Sequence, residues 1–191
     1  MLAGDKVDIA GVKVEKGSFP TPYGLKPDEL SSPLLETDLS GFGNHATRSA
    51  IMSYTSDSKR YGSATTFTGS SYIKQSGLDT QNWSDFTISA WVNPSSLTAT
   101  GSNTDRQTIL IGGMYLTLVN GAVSTYCYGK TNPGYHTTTK KIPINEWSHI
   151  AATWDAEGNH VIYINGVAEL TKTGITGVTN NTNSTKKEIG A

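Results

Sequence analysis

The chain has 191 residues, of which 36% are hydrophobic and 16% are charged, and its formal net charge is −1. This length is enough for one sandwich-sized core and a short extra segment. Since no stripe of Lys and Arg is available to neutralise phosphates, we expect no nucleic-acid partner. Since no run of about 20 apolar residues is present, we expect no insertion into a membrane.

The N-terminal part of the chain predicts an isolated strand followed by a connector. Apolar residues alternate with polar ones along residues 6–15, as in a half-buried strand. Prolines then recur in residues 19–27, and proline lacks the N–H group that the interior of a sheet requires. The pattern predicts a domain boundary within residues 17–33.

Beyond residue 85, short apolar runs of alternating polarity recur between turn residues, which is typical of antiparallel strands. The predicted strands cover residues 85–93, 108–111, 114–118, 122–128, 148–154, 160–164 and 167–170. The pairs Asn120-Gly121 and Asn165-Gly166 favour tight hairpin turns. Hairpins without βαβ alternation predict an all-β fold, a two-sheet antiparallel jelly-roll sandwich. We expect its core to contain Phe86, Ile88, Trp91, Ile150, Trp154, Ile162 and Ile164. Because Trp91 is out of phase with Phe86 and Ile88, its burial requires a bulge or a cover over the second face.

From Leu35 onward, the order of motifs resembles a laminin-G-like, concanavalin A-like lectin/glucanase domain. The resemblance is carried by residues 38–46 (DLSGFGNHA), 66–73 (TFTGSSYI), 86–92 (FTISAWV), 146–155 (EWSHIAATWD) and 161–166 (VIYING). It implies the same jelly-roll fold for residues 35–191. Members of the family continue past the final Ile-Gly with one more strand, so we expect this sandwich to lack its closing strand.

A second, shorter resemblance concerns residues 11–23 (GVKVEKGSFPTPY). They are similar to the last strand and exit of carbohydrate-binding-like modules in phage tail and related virion proteins. This implies that residues 1–22 end a preceding module and that residues 23–34 form a linker. We therefore expect residues 1–22 to lie outside the sandwich core, as a strand that packs on its edge, on a neighbouring module or on another copy of the chain. The expected location is the virion, on a phage tail or capsid surface, or the extracellular space.

The sequence predicts a binding module and not an enzyme. Glycan hydrolases use a pair of carboxylates, and those that resemble laminarinases carry them on one strand as E-x-D-x-x-E. This signature is absent from the chain. No Ser or Cys stands in a recognisable nucleophile motif either.

A sugar-binding surface on a sandwich needs aromatic rings beside amide or charged groups. Tyr126 and Tyr128 alternate with Val123 and Cys127, so they face outward together if Cys127 faces the core. The candidate ligand-binding residues are Tyr115, Tyr126, Tyr128, Tyr135, Arg106, Asn132 and His136. The alternative for each tyrosine is ordinary surface cover.

Calcium is the one cofactor that the residues suggest. Asp38 and Asn44 stand in an oxygen-rich loop and offer a carboxylate and an amide, which suit this hard cation. The alternative is an ordinary Asx turn in which glycines supply the positive φ values.

These features predict a non-catalytic module that binds a carbohydrate or a host surface. The expected partners are a glycan or host cell-surface polymer, neighbouring modules of the same protein, and a further copy of the chain in a homo-oligomer. Two alternatives stay open: a structural spacer or decoration domain of a virion, and an accessory domain of a secreted glycan-degrading enzyme. The fold alone does not choose among them, because function lies in the sites that a fold carries.

Overall fold

The computed structural model describes residues 6–16, 35–36, 45–50, 52–55, 64–68, 71–75, 79–97, 106–132, 134–180 and 187–190. The strands are β1 (Lys6–Lys16), β2 (Leu35–Glu36), β3 (Ala46–Arg48), β4 (Ser53–Thr55), β5 (Ala64–Thr68), β6 (Ile73–Gln75), β7 (Phe86–Pro94), β8 (Gln107–Ile111), β9 (Met114–Val119), β10 (Ala122–Cys127), β11 (His136–Lys141), β12 (Ser148–Trp154), β13 (His160–Ile164), β14 (Val167–Lys172) and β15 (Glu188–Ile189). Among the described residues, no helix is long and apolar enough to cross a membrane.

The strands form two antiparallel sheets, as the sequence predicts. The first sheet has the order β14-β13-β12-β7-β1-β5-β4, and the second has the order β11-β10-β9-β8-β15-β6-β3-β2. Buried apolar side chains from both sheets form one core cluster. The all-β jelly-roll prediction is therefore confirmed.

Two Asn-Gly pairs close hairpins in this fold. Asn120 and Gly121 have φ values of 48° and 80°, and Asn165 and Gly166 have φ values of 52° and 81°. Positive φ at both central residues is what a type I′ turn requires. The first pair joins β9 to β10 and so determines which residues of that hairpin lie opposite one another.

Alternation places one face of each central strand in the core. Phe86 and Ile88 on β7 and Trp154 on β12 are at most 2% exposed, and the Phe86 and Trp154 rings stack with centroids 4.6 Å apart. The other buried members of the predicted core are Ile150, Ile162 and Ile164.

The prediction is wrong for Trp91, which is only partly buried. Trp91 is out of phase with Ile88, so its ring lies on the outer face, 5.2 Å from the His149 ring.

Strand β1 is an interior strand of the first sheet, which corrects the expectation that residues 1–22 lie outside the core. It pairs with β5 on one side and with β7 on the other. Val7 and Ile9 are 0% and 4% exposed. Without β1, the edges of β5 and β7 that it pairs with would lack hydrogen-bond partners, and burial of unpaired backbone groups is costly. The origin of this segment in a preceding module stays a prediction, and the predicted linker lies outside the described residues.

Candidate functional site

The β9–β10 hairpin places tyrosines on the outer face of the second sheet. Leu116 and Cys127 point into the core and are 0% and 4% exposed. Tyr115, Tyr126 and Tyr128 are each one residue out of phase with them and therefore lie on the opposite face. The register sets Tyr115 directly opposite Tyr126. This is the outward orientation that the sequence predicts for Tyr126 and Tyr128.

The backbone around Tyr128 is held closely by a neighbouring segment. The Tyr128 N–H donates to the Gly113 carbonyl at 2.9 Å, and the Tyr128 carbonyl accepts from the Asn180 N–H at 2.9 Å. At the next residue, Gly129, φ is 85°, and a Cβ would lie 2.4 Å from the Val178 carbonyl oxygen. Only glycine fits this approach without displacing the backbone.

Tyr135 joins these three residues, and we call Tyr115, Tyr126, Tyr128 and Tyr135 the tyrosine cluster. The Tyr115 ring centroid lies 6.0 Å from that of Tyr126, 5.9 Å from that of Tyr128 and 6.4 Å from that of Tyr135. The Tyr126 centroid lies 4.8 Å from that of Tyr128 and 5.0 Å from that of Tyr135. The ring planes are tilted from one another by 44° to 85°, the edge-to-face arrangement that aromatic quadrupoles favour. Tyr135 is 39% exposed.

Arg106 packs against one face of the Tyr135 ring. Its Cζ atom lies 3.7 Å from the ring centroid, which is a close cation–π contact. Its Nη1 donates to Ser124 Oγ at 3.4 Å, and Ser124 Oγ lies 2.8 Å from Thr137 Oγ1. Ser124 is fully buried beneath these groups. The outer face thus combines one cation and several hydroxyls with four aromatic rings.

Tyr115 and Tyr126 stay protonated at physiological pH. Burial raises the pKa of Tyr115, and a hydrogen bond with Tyr128 raises it further. Burial also raises the pKa of Tyr126, with a further contribution from Tyr128. Neither phenol therefore becomes an anion that would neutralise Arg106.

Asn132 and His136, which the sequence predicts as ligand-binding residues, line a small cavity together with Tyr126, and their contact with a ligand stays a prediction. His136 on β11 lies directly opposite Thr125, and directly opposite residues share a face. Thr125 is out of phase with Tyr126 and faces inward, where its Oγ1 lies 2.9 Å from His160 Nε2. The cavity that Tyr126, Asn132 and His136 line has a volume of about 10 Å³, which is at the lower limit for holding one water molecule.

Sequence reasoning missed His160, which lies at the centre of this inner polar group. Its Nδ1 lies 2.9 Å from the Thr153 carbonyl oxygen, which can only accept, so Nδ1 carries the hydrogen and Nε2 accepts from the Thr125 hydroxyl. The imidazole stacks on Trp154 at 4.1 Å, and burial lowers its pKa to about 4. A signal was present, because His160 shares its strand phase with the buried Ile162.

Lys130 begins the loop of residues 130–136, which the sequence predicts to contact the ligand, but its side chain is buried. It is 3% exposed, and its Nζ donates to the Ser84 carbonyl oxygen. Burial lowers the pKa of Lys130. Burial also raises the pKa of the neighbouring Cys127 thiol to about 12, so this thiol is protonated and unreactive at neutral pH.

The structure does not test the calcium prediction. Within the described ranges, no group of three or more His, Cys, Asp or Glu side chains could hold a metal ion. The candidate ligands Asp38 and Asn44 lie outside those ranges. Calcium binding by these two residues stays a prediction.

Comparison with known proteins assigns the chain to a protein family. Two antiparallel sheets around one core define a β-sandwich. Residues 67–191 match the family model Laminin_G_3, described as the concanavalin A-like lectin/glucanases superfamily. Since this match covers well over half of the chain, the chain belongs to that family. A search of curated proteins found no match to the sequence.

Three solved structures share the fold at low sequence identity. Domain 4 of AbnA, a GH43 extracellular arabinanase from Geobacillus stearothermophilus, solved in complex with arabinotriose, matches with a TM-score of 0.57 and 23% identity over 81% of this chain and 77% of its own. The binding domain of Paraclostridial Mosquitocidal Protein 1 matches with a TM-score of 0.58 and 19% identity. The receptor binding domain of botulinum neurotoxin D matches with a TM-score of 0.59 and 17% identity. Each of these two matches covers 81% of this chain and 41% of the toxin chain. The chain therefore spans about two-fifths of each toxin domain.

Proposed function

We propose that the chain is a non-catalytic carbohydrate-binding module whose ligand contacts the tyrosine cluster and Arg106. One observation carries the proposal: four tyrosines and an arginine gather on the outer face of one sheet, instead of packing into the core. Aromatic rings pack against the apolar faces of sugars, while hydroxyl and guanidinium groups bond the sugar hydroxyls. A sheet face that served only as a spacer has no need of this combination.

The solved neighbours support the same class of ligand. The arabinanase domain was solved with arabinotriose bound, and the two toxin neighbours are described as a binding domain and a receptor binding domain. At these identities the likeness establishes the fold alone. The assignment of a sugar to this chain therefore depends on its own tyrosine cluster.

The disposition of carboxylates supports binding without catalysis. Glycoside hydrolysis uses two carboxyl groups on either side of the scissile bond. Among the described residues, no Asp or Glu side chain forms an ion pair with Arg106 beside the tyrosine cluster. Asp155, in the turn between β12 and β13, accepts from the Asn159 backbone N–H with Oδ1 and from the Asn159 side-chain amide with Oδ2, both at 2.7 Å. Its two oxygens thus close a turn, as expected for Asx chemistry.

A glycan array followed by calorimetry on the best ligand tests the proposal. Tyr126→Ala is expected to weaken binding by about tenfold or more, equivalent to about 1.4 kcal/mol, because it removes a ring from the centre of the cluster. Tyr163→Ala is the matched control, since Tyr163 is a partly buried tyrosine on the outward side of β13 in the other sheet. It should leave the affinity unchanged.

Thermal unfolding of both variants shows whether each variant still folds. A loss of affinity in a folded variant then reports on the binding site. If Tyr126→Ala and Tyr163→Ala bind the ligand as tightly as the native chain, the tyrosine cluster is not the site. If the native chain binds no glycan on the array, the structural-spacer function replaces the proposal.

We further propose that the parent protein is a phage tail or other virion protein that attaches to a host. The support is the resemblance of residues 11–23 to modules of such proteins. Mass spectrometry of purified particles and of particle-free medium tests this. Peptides of the parent protein are expected in the particles, and their occurrence only in particle-free medium would assign the module to a secreted protein instead.

A further inference from the structure

Arg106 is a half-buried cation whose hydrogen-bonding capacity is mostly unused. A guanidinium carries five N–H donors, and the described residues offer one hydrogen bond to them, the 3.4 Å bond from Nη1 to Ser124 Oγ. The Nε atom is buried and has no partner among the described residues. Nε is out of a ligand's reach, whereas Nη2 is not among the buried unpaired atoms of the described residues and can meet an incoming acceptor.

No described carboxylate forms an ion pair with Arg106. Glu169, on β14, pairs with Lys140 at 2.6 Å and is thus engaged elsewhere. Tyr115 and Tyr126 are neutral at physiological pH, since a phenol ordinarily has a pKa of about 10 and burial raises the pKa of these two further. Among the described residues, the tyrosine cluster and Arg106 together therefore present one uncompensated positive charge beside aromatic rings.

The Tyr135 ring holds this cation in place. With Cζ 3.7 Å from the ring centroid, the guanidinium plane is restrained before any ligand arrives, which reduces the entropy lost on binding. Arginine presents a planar fork that matches the two oxygens of a carboxylate. The restrained guanidinium lies next to an aromatic surface of about the size of a sugar ring. This arrangement fits a ligand that carries both a carboxylate and a sugar ring.

We propose that the ligand of this site is a carboxylated glycan, in which the carboxylate of a uronic or sialic acid residue binds Arg106 and a sugar ring packs on the tyrosine cluster. This inference rests on the proposed function and names its substrate class. The carboxylate supplies the acceptors that Arg106 lacks, and the neutral tyrosines supply the contact for the pyranose ring.

The experiment compares glycans that differ only in the charged group, titrated into the full chain. One set is 3′-sialyllactose and its carboxyl-reduced form, with 3′-sulfolactose as an anion that lacks a carboxylate; the other set is trigalacturonate and its carboxyl-reduced form. In at least one set, the carboxylated glycan is expected to bind about 10- to 100-fold more tightly than its neutral counterpart, the range for a hydrogen bond to a charged group. The set that shows the difference identifies the acid as sialic or uronic.

Variants assign the difference to Arg106. Arg106→Gln should bring the carboxylated glycan down to the affinity of the neutral one. Arg106→Lys should retain part of the preference, because lysine keeps the charge but not the planar fork. Lys172→Gln removes the same charge from an exposed position on β14 and should change nothing. Raising the salt concentration should reduce the preference and leave the neutral affinity nearly constant.

The outcomes separate this inference from the function on which it rests. Equal binding of both members in each set, with Tyr126→Ala still reducing the affinity, overturns the carboxylate assignment and leaves the sugar-binding function intact. Binding of 3′-sulfolactose without 3′-sialyllactose or trigalacturonate also overturns it. Failure of every glycan to bind a folded chain overturns both.

Discussion

A single imidazole, that of His160, links the stability of the sandwich to pH. The ring is 1% exposed and binds as the neutral tautomer, donating to the Thr153 carbonyl and accepting from the Thr125 hydroxyl. Burial, together with smaller contributions from the nearby His136 and Lys130, lowers its pKa from the usual 6.5 to about 4. Protonation would remove the acceptor at Nε2 and place a charge against Trp154.

We predict that the free energy of unfolding falls as the pH decreases from about 6.5 towards 4. The folded-state pKa of His160 is lowered, so between these values the unfolded chain binds more protons than the folded chain. The loss should reach about 3 kcal/mol by pH 4, at 1.36 kcal/mol per pKa unit. Urea unfolding at a series of pH values measures it.

Variants identify the group responsible for this pH dependence. His160→Gln should lower stability at pH 7, because it loses the stacking on Trp154, but should show a flatter pH dependence. His136→Gln separates the contribution of His136, whose pKa burial also lowers. An unchanged slope in His160→Gln would assign the pH dependence to other groups.

At the scale of elements, β1 determines whether the first sheet is continuous. It pairs with β7 along most of its length, with a register shift between Ala10 and Lys13, and with β5 near its start. An interior strand contributes hydrogen bonds on both edges as well as buried side chains. The first strand of the chain therefore lies between two strands that are far from it in sequence.

We predict that Ile9→Ala lowers the free energy of unfolding by about 2–5 kcal/mol, as is usual for a buried isoleucine. Val167→Ala, at a position that is 56% exposed on β14, should change it by less than about 0.5 kcal/mol. Chemical unfolding followed by far-UV circular dichroism measures both. Equal, small effects would indicate that β1 is dispensable, and residues 1–22 would then act as part of another module.

At the scale of the whole molecule, one core joins the two sheets. The cluster of buried residues includes Val7 and Phe86 from the first sheet and Leu116 and Ile109 from the second. Since the same side chains stabilise both sheets, neither has a separate apolar interior. The two layers should therefore fold and unfold together.

We predict one cooperative unfolding transition. Tryptophan fluorescence, which reports on the buried Trp154, and far-UV circular dichroism, which reports on all strands, should give coincident curves in urea. Two separated transitions would show that part of the chain, such as the segment carrying β1, unfolds independently.

Local patterns in the sequence were sufficient to predict the hairpins and the facing of residues along them. Side chains alternate strictly along a strand, and the Asn-Gly pairs specify the turn that sets the register. Tyr126 and Tyr128 could therefore be placed on the outer face without any tertiary information. The same rule leaves Trp91 out of phase with Phe86 and Ile88, and it would have placed His160 in the core.

Features that depend on contacts between distant segments could be determined only from the tertiary structure. The position of β1 between β5 and β7 depends on which strand edges are free, and alternation within one strand carries no information about its neighbours. The contact of Arg106 with Tyr135 joins residues on different elements, and the inward side of His136 depends on how β11 pairs with β10. Such pairings are chosen by the summed burial and hydrogen bonding of the whole sandwich, which no short stretch of sequence contains.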